Sequence, residues 1–349
     1  MSVLFLVLTT QTFLQIYFSQ NEESILMQWG AVGMALFMIM IYGVVIPSLW
    51  NAEDFLIFIQ RWAGTLVLFS LLLWLSGAGS VYKGGRFIGV FKHIPHMVTC
   101  ATVAFIFSLA TFIRASSLQH KIWSALIIGA GFLAIILTGT RSSAAAALFA
   151  LVLILLLHRT ESNQARIFKF AFISGLLTFT LFFGGKIYDF ARDVATGQSA
   201  LGEREAQDGV SSRWEEVERG AEIFMQQPWL GHGLLSKFAA GNDVDVSNYN
   251  AMKDPHNIFI SAGVIGGWPL LALSAVSLIL MSIGGVKALL SMDFGKRYVA
   301  VYLLAHIPIL VIYHLHLSIG GMADRLYWLV FGYVATTAIP MSKKTASMK

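Results

Sequence analysis

Two arginines and a histidine lie at predicted helix starts, where together they could bind an anionic group. Arg141 and His256 each precede an apolar stretch, and Arg213 opens an amphipathic one. The N–H groups of a helix start have no intrahelical partner and carry partial positive charge, so they stabilise an anion. An arginine adds a planar fork of donors that matches phosphate oxygens. This pattern predicts a site for a phosphate or pyrophosphate group.

His256 could do a second kind of chemistry. The dipole of a helix start opposes protonation of a histidine, so a neutral ring is expected near pH 7. A neutral imidazole accepts a proton, which suits a general base. The alternative is an interfacial histidine whose polar tip lies in water, with Pro255 starting the helix. Both interpretations place His256 at the membrane surface.

The elements that position these residues are predicted to be membrane helices. Hydrophobic residues make up 56% of the 349 residues and charged residues 12%, whereas a soluble domain has about 25% charged residues. The pattern favours an all-α fold class, a polytopic transmembrane helix bundle, because no short alternating strands indicate a barrel. Windows of about 19 residues predict ten transmembrane helices. They lie near residues 3–19, 27–49, 63–80, 94–113, 121–139, 142–158, 168–186, 257–284, 298–316 and 325–341.

The predicted spans divide the chain into three parts. Residues 1–186 form the N-terminal part of the bundle, 187–257 a large polar loop containing helices, and 258–349 the C-terminal part. The first residues show no basic region or cleavage site, so the first span is expected to be retained. Cys100 is the single cysteine, which excludes an intrachain disulfide and a thiolate metal cluster.

The loop is predicted to contain an amphipathic helix. Ser212 and Glu215 have the spacing of a capping box, with Ser212 as the N-cap, and the helix is expected to run to about Gln227 and stop at Pro228. Arg213 would then lie in the first turn.

The lysine and arginine distribution predicts the orientation. With a cytoplasmic N-terminus, twelve of these residues fall on the inner side and five in short outer loops. Positive residues favour the cytoplasmic side, so both termini are predicted to be inside. In a bacterial cell the polar loop and Arg141 then face the periplasm.

Several other polar residues have two interpretations. Asp243 and Asp245 resemble a magnesium-binding pair, but neighbouring turn residues favour a solvated turn. His232 lies between glycines that favour a tight turn, where its ring either touches substrate or only completes the turn. A basic outer loop could bind anionic lipid headgroups or a donor phosphate, and it contains Lys83, Arg86, Lys92 and His93.

Four motifs in this order resemble the O-antigen ligase and O-antigen polymerase family over roughly residues 85–330. The resemblance lies in the ordered set, since each motif alone is weak. The motifs are Gly139-Thr140-Arg141-Ser142-Ser143, Arg213-Trp214, Pro228-Trp229-Leu230-Gly231-His232-Gly233 and Pro255-His256-Asn257-Ile258.

The resemblance implies an integral inner-membrane glycosyltransferase whose donor is a glycan on undecaprenyl pyrophosphate. Arg141 and Arg213 match the family's arginines that engage the donor pyrophosphate, and His256 matches its loop histidine. Arg86 and Gly89 match an Arg-x-x-Gly stretch more loosely. Further substrate contacts are expected from Arg86, Lys92, His93, His232, Asn257 and Arg325.

The predicted function is that of an O-antigen ligase, which passes the glycan to lipid A-core oligosaccharide with inversion at the anomeric carbon. Arginines can neutralise the diphosphate in place of a divalent ion, so no metal and no cofactor is expected. An O-antigen or exopolysaccharide polymerase would use the same donor and motifs.

A transporter for the lipid-linked glycan is the alternative of another class. Transporters place ionisable residues at mid-membrane depth and break helices there. The predicted spans are almost free of charge, but Gly266-Gly267-Trp268-Pro269 interrupts one of them and predicts a kink. Transport of the lipid-linked glycan therefore stays an alternative to glycan transfer.

Overall fold

The computed structural model describes residues 37, 40–77, 81–83, 86–91, 94–157, 210–232, 257–312 and 329–335. These residues are mostly helical. They belong to two compact units that alternate along the chain. Residues 37, 40–49, 210–232, 257–284, 307–312 and 329–335 belong to the first, and 50–77, 81–83, 86–91, 94–157 and 285–306 to the second.

Seven helices and one hairpin carry the features that concern the site. A π-helical stretch at Ile41–Val45 and a short helix at Ile46–Leu49 precede them. In chain order they are α1 Ala52–Leu75, β1 Tyr82–Lys83, β2 Arg86–Phe87, α2 Ile94–Arg114, α3 Leu118–Thr138, α4 Arg141–Leu157, α5 Val210–Gln226, α6 Ile258–Leu289 and α7 Phe294–Ile312.

Four helices within the described part of the chain are long and apolar enough to cross a membrane: α1, α2, α3 and α6. A shorter apolar helix covers Ser142–Leu157. The bounds of α2, α3, α4 and α6 lie close to the predicted spans, which confirms a helical, membrane-type fold. The predictions for 3–19 and 168–186 fall outside the described residues.

The start of α1 corrects the predicted span at 63–80. The helix begins at Ala52 because Asn51 caps it, its Oδ1 accepting from the backbone N of Asp54 at 2.7 Å. Glu53 and Asp54 then lie in the first turn, where the helix dipole stabilises carboxylates. These two charges lower the average hydropathy of any window that includes them, so the apolar pattern alone placed the start too late.

Helix α2 is the most enclosed of the four long helices, with 72% of its apolar window buried against 22% for α6. It packs on α1 and α3. A hydrogen bond from Gln60 Nε2 to Ser108 Oγ at 3.1 Å joins it to α1, and Gly131 lets α3 approach its backbone at Ala101 and Phe105. Small residues and buried polar pairs of this kind bring helices together where lipid gives no hydrophobic driving force.

A two-stranded antiparallel hairpin lies between α1 and α2, in addition to the helices of the predicted all-α fold. Tyr82 pairs with Phe87 and Lys83 with Arg86. Gly89 follows with a φ of 56°, and a Cβ there would clash with Ser70 of α1. Each strand has only two residues, which is too short for an alternating pattern to reveal.

At the opposite end of α1, an exposed ion pair joins Arg114 Nη1 of α2 to Glu53 Oε2 at 2.6 Å. The Arg114 guanidinium also lies 4.5 Å from the ring centroid of Phe294 at the start of α7. An exposed ion pair contributes at most about 1 kcal/mol. The cation–π contact additionally connects α7 to α1 and α2. These contacts hold the ends of α1, α2 and α7 together.

Helix α6 is broken where the glycines predicted a kink. Gly266 has φ −140° and ψ 21°, and Gly267 has φ 62° and ψ −162°, neither of them helical. Pro269 follows, and its missing N–H removes a further helical hydrogen bond. The kink is confirmed, and it divides α6 into Ile258–Ile265 and Trp268–Leu289.

Candidate functional site

Helix α5 is the described helix of the predicted polar loop. It ends at Gln226, just before Pro228, as predicted. It begins at Val210, however, so Ser212 is not its N-cap, and that part of the capping-box prediction is wrong. A cap contributes only about 1 kcal/mol, too little to fix the first helical residue by itself. Arg213 is therefore the fourth residue of α5 and not its first.

The turn after α5 is bonded directly to the kink of α6. The backbone N of Trp268 donates to Pro228 O at 2.7 Å, and the backbone N of His232 donates to Val264 O at 2.7 Å. Gly231 N donates to Gln227 O at 2.8 Å and closes the turn. The broken helix frees backbone groups that the turn then satisfies. We call this arrangement, residues 228–232 against 264–268, the turn–kink joint.

Two glycines make the turn–kink joint possible. A Cβ on Gly231 would lie 2.5 Å from the backbone N of Gly266, and one on Gly267 would lie 2.5 Å from Pro228 O. Both residues also have positive φ, 68° and 62° respectively. Only glycine adopts such angles without strain while admitting backbone this close. The prediction of unusual angles at Gly231 is confirmed.

Side chains extend the contact between α5 and α6. Ile223, Phe224 and Val264 form a buried apolar cluster. The ring of Phe224 meets that of Trp268 edge-on, with centroids 5.0 Å apart. Gly263 gives Phe224 room, since a Cβ there would lie 3.0 Å from the ring. The last turns of α5 are therefore fixed to α6 on both sides of the kink.

His232 has a defined place within this joint. Its Nε2 lies 2.8 Å from Ile223 O and donates to it, because a carbonyl can only accept. Ile223 is in the last turn of α5, where carbonyls lack helical partners. The ring therefore caps the C-terminal end of α5. Substrate contact by His232 stays a prediction.

Asn257 begins α6. Its Oδ1 accepts from the backbone N of Phe259 at 3.0 Å and of Ile260 at 3.2 Å, which makes it the N-cap. The helix start that was predicted to follow His256 is thus present. His256 itself lies outside the described residues, as do Asp243 and Asp245.

Arg141 is the first residue of α4, as predicted. Gly139 ends α3 in the left-handed conformation, and its N–H donates to Ile136 O at 2.9 Å. Gly139 and Thr140 are the two residues between the helices. The Thr140 Oγ1 is buried without a hydrogen-bond partner among the described residues. The sharp turn places the start of α4 directly after the end of α3.

The basic loop that was predicted to lie on the outer side is described in part. Arg86 is half-buried on β2 and pairs with Lys83, while Tyr82 pairs with Phe87. Burial raises the pKa of the Tyr82 phenol, and a hydrogen bond with Trp74 lowers it by less. The predicted contacts Lys92, His93 and Arg325 lie outside the described residues.

These features define a class: a helical membrane-type protein with a polar loop whose described helix is fixed to a broken membrane helix. A family model described as O-antigen ligase matches residues 125–275. The match confirms the resemblance to the O-antigen ligase and polymerase family over a shorter stretch than the sequence motifs indicated. A comparison with curated proteins found no match.

The matched stretch contains Arg141, Arg213, His232, His256 and Asn257. It supports an O-antigen ligase-type or polymerase-type function, and members of this family are glycosyltransferase-like enzymes with a lipid-linked glycan as substrate. Arg86, Lys92, His93 and Arg325 lie outside it.

Sequence reasoning found the kink and the turn separately but missed their contact. Each is encoded by a local cluster of glycine and proline. Their union depends on two glycines far apart in the chain, Gly231 and Gly267. The contact could have been predicted from the presence of two glycine-rich turns, Pro228–Gly233 and Gly266–Pro269.

Proposed function

We propose that the protein is an O-antigen ligase, which transfers a glycan from undecaprenyl pyrophosphate to lipid A-core oligosaccharide on the periplasmic side of the inner membrane. The family match over residues 125–275 carries this proposal, because it contains all three residues proposed for the reaction. In our proposal both chain termini lie in the cytoplasm.

Arg141 and Arg213 would bind the diphosphate of the donor. Arg141 is the first residue of α4, where backbone N–H groups lack helical partners, and Arg213 is the fourth residue of α5, close to such groups. An arginine is unfavourable beside the positive end of a helix dipole, and a bound diphosphate reverses the sign of that interaction. Neutralising the diphosphate makes it a better leaving group without a metal ion.

His256 would act as the general base on the acceptor. It removes the proton from the acceptor hydroxyl, whose oxygen attacks the anomeric carbon from the face opposite the diphosphate. The bond between that carbon and the diphosphate oxygen breaks, and the diphosphate leaves with the electron pair. A single displacement inverts the anomeric configuration. The adjacent helix start, capped by Asn257, favours the neutral ring that this step needs.

The remaining proposed substrate contacts fall into two groups. The backbone at Arg86 is held by the hairpin, so its position does not depend on substrate. His232 and Asn257 already make hydrogen bonds within the protein. We propose that charged groups of the donor and acceptor are bound by Arg86, Lys92, His93 and Arg325. We also propose that His232 and Asn257 contact the glycan through the parts of their side chains that do not make these hydrogen bonds.

Deletion of the gene tests this function and separates it from the polymerase. A ligase defect removes all capped lipopolysaccharide while polymer accumulates on the lipid carrier. Lipopolysaccharide with a single repeat on the core would instead show a polymerase. Loss of capped lipopolysaccharide with the lipid-linked glycan retained on the cytoplasmic face would instead show a transporter, the alternative to which the kink in α6 is relevant.

A further inference from the structure

We propose that the hydrocarbon of the membrane begins at the kink of α6 and that Met225 and Trp229 rest on the lipid surface there. Asn257 and the segment Ile258–Ile265 then stand outside the hydrocarbon. The partner is the phospholipid headgroup and acyl boundary. This inference does not depend on the reaction proposed above.

The length of α6 gives the first reason. Its 32 residues span about 48 Å, whereas the hydrocarbon is about 30 Å thick. From Trp268 to Lys287 the helix rises about 28 Å, close to that thickness. Trp268 and Lys287 are also residue types that prefer membrane boundaries. The second piece of α6 therefore spans the hydrocarbon by itself.

Burial along α6 changes at the same point. Before the kink, Ile258, Ala262 and Val264 are buried in the protein. After the kink large apolar side chains are exposed, among them Val276, Ile279, Leu280, Ile283 and Val286. An apolar surface of this length is unfavourable in water and suits acyl chains. The lipid-facing part of α6 thus begins after Gly267.

The turn–kink joint fixes a second lipid-binding element at this level. Because Trp268 N donates to Pro228 O, the turn after α5 lies beside the kink. Trp229 is 72% exposed and Met225 63% exposed. On the same helix Glu218 and Glu222 are exposed as well. Trp229 lies in the turn after α5 and is of a residue type that prefers the membrane boundary, while the two exposed carboxylates lie one and two turns further from the joint, on the water side.

The alternative boundary at Ile258 is unfavourable. It would bring the kink about 12 Å into the hydrocarbon. The hydrocarbon would then also contain the non-helical backbone at Pro228–Leu230 and the exposed Glu222 carboxylate, because both are close to the joint. Irregular backbone and an exposed carboxylate are both costly in lipid.

Spin-label depth measurements on the full-length protein in phosphatidylethanolamine and phosphatidylglycerol vesicles test the placement. Single cysteines would replace Ala272, Val276, Ile279, Ile283 and Val286, which are all exposed. Cys100 is buried, so the unsubstituted protein reports the background labelling. Collisions with oxygen report depth in lipid, and collisions with a water-soluble nickel complex report exposure to water.

We expect the deepest labels at Val276 and Ile279, on either side of the midpoint between Trp268 and Lys287, with the label at Val286 near the boundary. Labels at Met225→Cys and Trp229→Cys should lie at the opposite boundary, and one at Glu218→Cys in water. A maximum at Ala272 with the Val286 label in water would overturn the boundary. Labels at Met225 and Trp229 shielded from both reagents would show a protein partner and overturn the lipid contact.

Discussion

The proposed diphosphate contacts depend on the shape of the arginine guanidinium as well as on its charge. A lysine keeps the charge but replaces two fixed parallel donors with one compact ammonium. Arg213 lies on a helix whose far end is fixed to α6, so a shorter reach is not corrected by movement of the whole helix.

We therefore expect Arg213→Lys to lower glycan transfer on the order of 10- to 100-fold, since one charge-assisted hydrogen bond contributes about 1.5–3 kcal/mol. The measurement is turnover with lipid-linked donor in membranes. Arg219→Lys on the same helix is the matched control and should keep normal activity. Wild-type turnover of Arg213→Lys would show that a point charge suffices.

At the scale of elements, the turn–kink joint is the feature that connects the polar loop to a membrane helix. It combines backbone hydrogen bonds with an apolar cluster, so it does not depend on charge. It also explains why α6 can be broken without leaving all its freed backbone groups unpaired, because Val264 O accepts from His232.

Substituting Gly231 should destabilise this joint. Gly231→Ala meets two penalties, a positive φ that costs about 1–2 kcal/mol and a Cβ pressed against Gly266. We expect a lower thermal stability of the purified protein in detergent and a loop more rapidly cleaved by protease.

Two glycines serve as controls for Gly231→Ala. Gly77→Ala has a positive φ but open space, so it should show only the backbone penalty. Gly129→Ala lies in α3 with open space and should have little effect. Equal stability of all three variants would mean that the close approach at Gly231 does not matter.

The local elements were predictable because their signals are local. The apolar runs of α2 and α3, the stop at Pro228 and the glycine kink in α6 follow from residues adjacent in sequence. The start of α1 was not predictable from hydropathy. Asn51 caps the helix and its acidic neighbours stabilise the first turn, and hydropathy measures neither effect.

Parts of the candidate site also needed the structure. The starts of α4 and α6 at Arg141 and Asn257 follow from sequence, because each is marked by a polar residue before an apolar run. The capping role of the His232 ring depends on where the chain turns back onto α5. Such a return is set by long-range packing between the turn and α6, which no local pattern encodes.

At the scale of the whole molecule, the proposed chemistry requires cations from the protein and no metal ion. We expect glycan transfer by the purified protein to be unchanged after treatment with a chelator. A loss that magnesium restores would assign the diphosphate to a metal site instead, with Asp243 and Asp245 as its ligands.

The proposed placement in the membrane bears on the same reaction. A hydrophilic acceptor reaches the start of α6 more easily if Asn257 lies outside the hydrocarbon. The lipid part of the donor would remain beside the exposed apolar face after the kink. The boundary between these two environments lies at the turn–kink joint.

Transfer of glycan from a polyprenyl-diphosphate donor to lipid A-core by the His256→Ala protein is the most direct measurement. A general base contributes about 100- to 10,000-fold, so we expect transfer to fall by at least about 100-fold while the protein stays folded and inserted. His120→Ala, an exposed histidine on α3, should remain fully active. Normal transfer by His256→Ala would contradict the proposed role of His256.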